Sequence, residues 1–451
     1  MKTNYFSDFL NKNQKDLIKD LSSFIEIKSI ANNYSEIKKI VKLIILRLKK
    51  LGFKVKIDVL NNSNPFIIAE FGSGKKSLLI YDHYDVMSAD PINEWKYNPF
   101  KLTQEKEFLY GRGLADNKGH LILRLQAIET IFKFLKRIPI KIKWIIEGEE
   151  EIGSPHIKDL SNKYQDFLKK NDLCLWESGD VDEKGNPHMF LGMKGIAYFL
   201  LTCEVGKNDL HSGFASLVDS AVWRLIHALK TIRDDKGNIL IPEILKKIKP
   251  PNNYYLKLIK KYPLNKKKLL EQLGKNYFLK NEKSKEKILL NHFFGITCNI
   301  CGISAGSTKK NEIKTILPHK AYAKIDFRLV ENVDCKKISK IISRHFKKNG
   351  YKDIKIKELI TEPVAITNYK NKYFKKALKI IERSFCKKII ISPYAKGSGP
   401  MYYVASKFKV PCIQLGAQNP ASNIHGPNEN IKIEDYFKAM QATIDLIMNL
   451  E

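Results

Sequence analysis

The amino-acid sequence predicts an α/β fold organised as two domains, and three observations carry that expectation. The chain has 451 residues, more than one compact core accommodates. Apolar runs of strand length alternate with stretches of helical periodicity towards both ends. Between about Gly195 and Asn368 this alternation gives way to a different texture.

The elements follow in order. Phe6, Phe9, Leu10, Leu17, Leu21, Phe24 and Ile25 recur near helical spacing, as do Ile37, Ile40, Val41, Ile44, Ile45 and Leu48. Strands are expected at 54–59, 66–71 and 77–81, the last an unbroken apolar row of the kind a buried strand shows. A helix is expected over 118–135, then strands at 140–146 and 173–176. The middle region predicts strands at 196–205 and 321–330 and helices at 221–231 and 335–348, around a Lys-rich, weakly patterned segment at 233–290. The α/β pattern returns with strands at 389–392 and 412–415 and a helix from Glu434. The reading is one domain in two pieces, 1–194 and 366–451, with a second domain, 195–365, inserted between them.

Composition narrows the function classes. Hydrophobic residues make up 43% of the chain, as in ordinary globular proteins. No apolar run reaches the ~18 residues of a membrane-spanning helix. Asp8, Lys12, Lys15, Asp16, Lys19 and Asp20 interrupt the region where a secretory signal would need an apolar stretch, so a cytoplasmic protein is expected. Seven scattered cysteines without a repeating framework suit a reducing compartment. Cys298 and Cys301 form one C-x-x-C with no second pair to complete a zinc site. The formal net charge is +31, spread as Lys pairs along the whole chain. Its densest stretch lacks the glycine and aromatic pattern of an RNA-binding module, so no nucleic-acid partner is expected. The field could still attract acidic substrates.

The chemistry-bearing residues gather where candidate strands end, the place where open α/β sheets bind ligands. Asp82-His83-Tyr84-Asp85 closes the strand at 77–81. His83 and Asp85 are two apart and so would share a strand face; one can ligate a metal while the other orients it. Taken alone, a surface turn explains such a pair better. In Gly111-Arg112-Gly113-Leu114-Ala115-Asp116, two glycines permit a tight loop and Asp116 stands at a helix start, either as an N-cap or as a carboxylate between two metals. Glu147, Glu149, Glu150 and Glu151 crowd the end of the next strand and would repel one another unless cations or solvent intervene. Glu177 follows the strand at 173–176, and His425 and Glu429 lie in a late loop of Gly, Pro and Asn. The combined donor set suits a pair of divalent ions, with zinc, manganese and cobalt all compatible.

In this order the motifs resemble the M20 family of metallopeptidases and deacylases, and the match runs over almost the whole chain. The family includes carnosinase-like dipeptidases, acetylornithine deacetylase, succinyl-diaminopimelate desuccinylase and glutamate carboxypeptidases. The resemblance implies a zinc-peptidase-like α/β catalytic domain with an inserted α+β domain that serves as lid and dimerisation surface. It implies that His83, Asp116 and Glu177 hold one metal, zinc first, and that Asp116, Glu151 and His425 hold the other. Glu150 would be the general base for a metal-bridging hydroxide, Asp85 would orient His83, and Glu149 would be an extra carboxylate without a clear role. A cis peptide is implied between Asp116 and Asn117.

The same resemblance gives Asp209-Leu-His211-Ser-Gly213 the role of oxyanion donor, acting across a homodimer, and offers Arg328 and Ser398 as partners for a substrate carboxylate. For each of these three a plain structural role stays open. His120, His156, His188, His227, His292, His319 and His345 are read as structural, since no motif partner accompanies them. The expected reaction is hydrolysis of dipeptides or small peptides; an N-acyl-amino-acid deacylase is the alternative. The Asp-Leu-His-Ser-Gly segment, the 93–100 loop and the long insertion favour the dipeptidase branch. An inactive binding protein on the same fold would have lost one of the presumed ligands or Glu150, and none is missing.

Overall fold

A computed structural model describes residues 4–307, 309–395 and 397–450. The chain divides into two compact units. The first comprises the residues up to Leu191, Ile366–Ser392 and those from Gly399 onward; the second comprises Gly192–Ala365 and Pro393–Ser398. The short return of Pro393–Ser398 to the second unit has no counterpart in the sequence reading, which placed everything after 366 in the first.

The first unit is built on a six-stranded mixed sheet, in the order Lys54–Asp58, Phe66–Phe71, Lys141–Glu147, Ser77–His83, Leu173–Trp176, Cys412–Gln414. The first two strands run antiparallel to their neighbours, and the last four are parallel. Every residue of Ser77–His83 and of Leu173–Trp176 is buried, which is why both read as continuous apolar runs rather than alternating ones. The helix Lys118–Leu135 is buried on nearly all sides, from His120 and Leu121 through Ile131. Its hydrophobicity is therefore not confined to one stripe. Tyr34–Lys50 and Lys372–Phe385 are amphipathic instead; the first buries Ile37, Ile40, Val41, Ile44 and Leu48 and places Arg47, Lys49 and Lys50 in its last turn, where the helix dipole favours them.

Because four parallel strands point the same way, their carboxyl ends open on one edge. His83 and Glu147 are direct neighbours across that edge, and Glu177 follows Trp176 there. The strand Ser77–His83 stops at His83, so Asp85 lies in the loop beyond it and not on a shared strand face as the spacing suggested.

The second unit holds a four-stranded antiparallel sheet, in the order Thr297–Ala305, Lys320–Leu329, Gly195–Glu204, Lys355–Glu362. Ala197, Phe199, Leu201 and Cys203 alternate onto one face, where Leu225, Ala228 and Ile232 of Ala221–Ile232 and Ile338, Ile342 and Phe346 of Cys335–Lys348 cover them. This is an α+β layer pair. The weakly patterned stretch at 233–290 resolves into short helices, Pro242–Leu245, Asn253–Lys261 and Lys266–Gln272, followed by Lys285–Phe294. Among the described residues no helix is long and apolar enough to cross a membrane.

Candidate metal centre

The loop 111–116 enters the helix Lys118–Leu135. Gly113 takes φ +88°, and a Cβ on Gly119 would stand 2.0 Å from the Leu114 carbonyl oxygen, so side chains are excluded where the loop folds back on the helix. The Asp116–Asn117 peptide is cis. Asp116 does not cap the helix. The N-cap is Asn117, whose side chain instead donates to Asp82 Oδ1 at 2.8 Å.

The Asp116 carboxylate divides between two histidines. Its Oδ1 lies 3.1 Å from His83 Nε2, and its Oδ2 lies 3.2 Å from His425 Nε2. On the first side, Glu177 Oε2 stands 3.5 Å from His83 Nε2. On the second, Glu151 Oε2 stands 3.0 Å from His425 Nε2. Ligand atoms of Asp116, Glu151 and His425 all fall within 4.8 Å of one another. Six of the sequence-predicted residues thus converge, since Glu150 shares a short helical turn with Glu151 and its carboxyl feels the charges of His83, Asp116 and Glu151.

Asp85 lies behind His83, 3.3 Å from Nδ1, and accepts the backbone N–H groups of Glu150 at 3.3 Å and Glu151 at 3.0 Å. Glu149 turns away: it is buried, accepts the N–H of Asn64 at 2.9 Å and meets His156 Nδ1 at 2.6 Å. His156 therefore has a partner that its sequence context did not suggest. His120 is structural as expected; its Nε2 accepts the N–H of Ala417 at 2.8 Å, and burial beside Arg124 pushes its pKa down to about 3.

The electrostatics are those of a cluster built around positive charge. Burial pushes Glu150 well up despite the pull of His83, with Asp116 and Glu151 adding to the rise. Glu177 is raised by burial and by Glu150, and Glu151 by burial against His425. Hydrogen bonds to Asp116 and Glu151 raise His425 to about 10. His83 is raised above its usual range: burial opposes its charge, but Asp116 and Asp85 outweigh it. Glu177 Oε2 is buried and accepts no hydrogen bond from any described residue. A buried carboxylate oxygen left this way is costly unless a cation takes the lone pair. The donor set, two imidazoles and three carboxylates around a shared Asp, fits a pair of divalent ions.

A family model described as peptidase family M20/M25/M40 matches residues 79–449. The chain belongs to this family. Among its relatives, Beta-Ala-His dipeptidase of Homo sapiens is 30% identical over 285 residues, 62% of this chain and 56% of that protein, so the match spans little more than half of the human enzyme. Cys-Gly metallodipeptidase DUG1 of Candida albicans is 28% identical over 360 residues, 75% of this chain and 73% of that one. The solved M20 family metallo-carboxypeptidase Sso-CP2 of Sulfolobus solfataricus superposes with a TM-score of 0.90 at 34% identity, covering 96% of this chain and 99% of that chain. The family, the α/β fold and the hydrolase class expected from motif order are all borne out.

The remaining sequence-predicted residues of this M20 peptidase belong to the second unit. Arg328 donates from Nη1 to Ser398 Oγ at 2.8 Å and from Nε to Asp326 Oδ2 at 3.2 Å, so two candidates distant in sequence meet. Ser398 lies on the segment that returns to this unit. His211 is exposed; its Nδ1 accepts the N–H of Gly213 at 3.1 Å and caps the turn Ser212–Ser216. Its neighbour Asp209 pairs with His319 Nδ1 at 2.6 Å, a partner for His319 that the motif reading did not supply.

The frame of the M20 site also uses residues without a role in the sequence reading. Arg124, wholly buried, donates to Asp82 and to the carbonyls of Tyr81 and Trp176, tying neighbouring strand ends together. A buried Arg inside an apolar helix was the available signal. Arg112 and Glu429 form a second such link, with Nη1 to Oε2 at 2.7 Å.

Proposed function

We propose that the chain is a two-metal hydrolase of dipeptides or small peptides. The observation that carries this reading is the division of the Asp116 carboxylate, one oxygen towards His83 and the other towards His425. Only a carboxylate can face two centres at once with separate oxygens. His83, Asp116 and Glu177 would hold one ion; Asp116, Glu151 and His425 would hold the other. Zinc is the first candidate, with manganese and cobalt compatible with the same donors. Two such ions, when bound, supply a water acidic enough to react near neutral pH and a Lewis acid for the peptide carbonyl.

The protein's own groups do the rest. Glu150 takes the proton of the attacking water and returns it to the leaving amine. Its place on the turn beside Glu151, in the field of His83 and Asp116, supports a group that takes a proton and passes it on at the centre. Asp85 holds the His83 ring and the backbone of the Glu150–Glu151 turn. Arg328 and Ser398 receive the free carboxylate of the substrate, for which the planar guanidinium is suited. His211 stabilises the oxyanion in a partner subunit. The homodimer this requires is supported by the exposed Trp223, Ile226, Ile300 and Ile303 of the second unit. All seven cysteines are free, which supports a cytoplasmic setting.

The two dipeptidase relatives named above support peptides over N-acyl amino acids as substrates. The likeness to a metallo-carboxypeptidase favours a second reading, removal of a C-terminal residue from longer peptides. One experiment covers these readings. The purified protein is stripped with a chelator, reloaded with zinc, manganese or cobalt, and assayed on dipeptides, longer peptides and N-acyl amino acids beside Glu150→Gln. Metal-restored activity that the variant lacks is expected, greatest on dipeptides. Absence of metal binding would overturn the reading.

A further inference from the structure

The residues that face the two centres sit on loops far apart in sequence, and one buried ion pair joins them. Glu429 is fully buried, and each of its carboxylate oxygens accepts twice. Oε2 takes Arg112 Nη1 at 2.7 Å and the N–H of Gly113 at 2.9 Å. Oε1 takes the N–H of Ala115 at 2.8 Å and that of Asp116 itself at 3.0 Å. The Glu429 carbonyl takes the N–H of Gly111 at 3.0 Å. One residue therefore receives four backbone N–H groups of the 111–116 loop, and the loop is folded around it.

Arg112 extends the link. Its Nη2 donates to the carbonyls of Gly426 at 3.2 Å and Ser88 at 3.1 Å, and its guanidinium lies 5.1 Å from the Trp95 ring. Gly426 follows His425, which holds a left-handed φ of 62°, a conformation that non-glycine residues keep only where the surroundings impose it. Asn428 clamps the same loop through Lys96 N at 2.6 Å and the Glu94 carbonyl at 3.1 Å. A buried carboxylate is costly even when paired, and an uncharged acceptor would serve a plain turn. Three convergent N–H donors and a guanidinium make the charge tenable here; the N–H groups hold the backbone of Asp116, and the guanidinium holds the carbonyl of Gly426 next to His425.

We propose that Glu429, acting through Arg112, is a positioning residue that sets the separation of Asp116 and His425 and thereby the affinity of the metal centre. The inference rests on the two-metal reading above. It makes no use of Glu429 as a ligand; its carboxylate is occupied by the loop.

The test is zinc binding by the metal-free full chain, followed by competition with a chromophoric chelator, alongside thermal unfolding without metal. The proteins are wild type, Glu429→Gln and Tyr436→Phe, the last losing a buried hydrogen bond to Gln126 at 2.9 Å as a control for general destabilisation. Wild type should bind two zinc ions per chain. Glu429→Gln should bind at least one of them about 10–100-fold more weakly, the range for removal of a group that orients ligands. Tyr436→Phe should bind both normally even where its unfolding temperature falls. If Glu429→Gln does not fold, Arg112→Lys is read in the same way, since it keeps the charge but loses the fork to Ser88 and Gly426. Wild-type affinity in the folded Glu429 or Arg112 variant, or an equal loss in Tyr436→Phe, overturns the inference while leaving the two-metal reading standing. A wild-type chain that binds no zinc overturns both.

Discussion

The carboxylate of Asp85 lies 3.3 Å from Nδ1 of His83, on the side of the ring opposite Asp116. The main-chain carbonyl of Asp85, 3.1 Å from the same nitrogen, fixes with it which nitrogen of His83 faces the centre, and the carboxylate's contacts to the Glu150 and Glu151 N–H groups register the acidic turn against that ring. Asp85→Ala should lower metal affinity or activity by about 10–100-fold. Asp85→Asn should retain part of both, because an amide oxygen can still accept one of the Glu150 and Glu151 N–H groups. Metal titration of the two variants checks this; equal affinity in Asp85→Ala and wild type would contradict it.

Glu150→Gln should bind metal as wild type does and lose kcat by about 10²–10⁴-fold, the usual share of general acid–base catalysis. Metal content by elemental analysis and steady-state kinetics separate the two quantities. A variant that loses its metal instead would reassign Glu150 as a ligand.

Arg328→Ala should raise KM for dipeptides with a free C-terminal carboxylate and leave hydrolysis of the matching C-terminal amides little changed. A hydrogen bond to a charged group contributes about 1.5–3 kcal/mol, or roughly 10–100-fold. An equal effect on both substrate series would place Arg328 outside the carboxylate subsite.

Glu362 ends the buried side of Lys355–Glu362, and burial pushes its carboxyl up to about 7 against the pull of Arg328. The unfolded value is about 4.3, so the folded state binds the proton more tightly. The stability from this group is fully present below about pH 4 and is lost as pH rises through about 7. Glu362→Gln, neutral at every pH, should gain on wild type between about pH 5 and pH 8, by on the order of 2–3 kcal/mol. Denaturant unfolding at the two pH values measures the difference; parallel pH dependence in both proteins would contradict it.

Metal-free protein should unfold at lower temperature than zinc-loaded protein. Binding to the folded state alone adds about 2.7 kcal/mol at a ligand concentration 100 times Kd. Differential scanning with and without a chelator tests this, and the shift should be much smaller in Asp116→Ala.

Regular elements were legible wherever the burial pattern is local. The helices Lys118–Leu135 and Cys335–Lys348 and the strand Phe66–Phe71 begin and end as their periodicity predicts, because each is decided by side chains a few residues apart. The 233–290 stretch was not, since its helices are short: Asn253–Lys261 buries only Tyr255 and Ile259, and Lys266–Gln272 buries nothing, too little to set a period. The pairing of His83 with Asp85 was expected from strand alternation, yet it arises in the loop beyond Ser77–His83.

The sequence by itself determined the family, the two-part α/β and α+β architecture and the identity of the residues that converge, because motif order and residue chemistry are properties of the chain. The tertiary structure alone decided that the two oxygens of Asp116 face different histidines, that Glu149 turns to Asn64 and His156, and that Glu429 and Arg112 join the Asp116 and His425 loops. Each of these depends on a side chain meeting a group far from it in sequence. Such meetings follow from how the strand ends and loops are brought together, which no local spacing records.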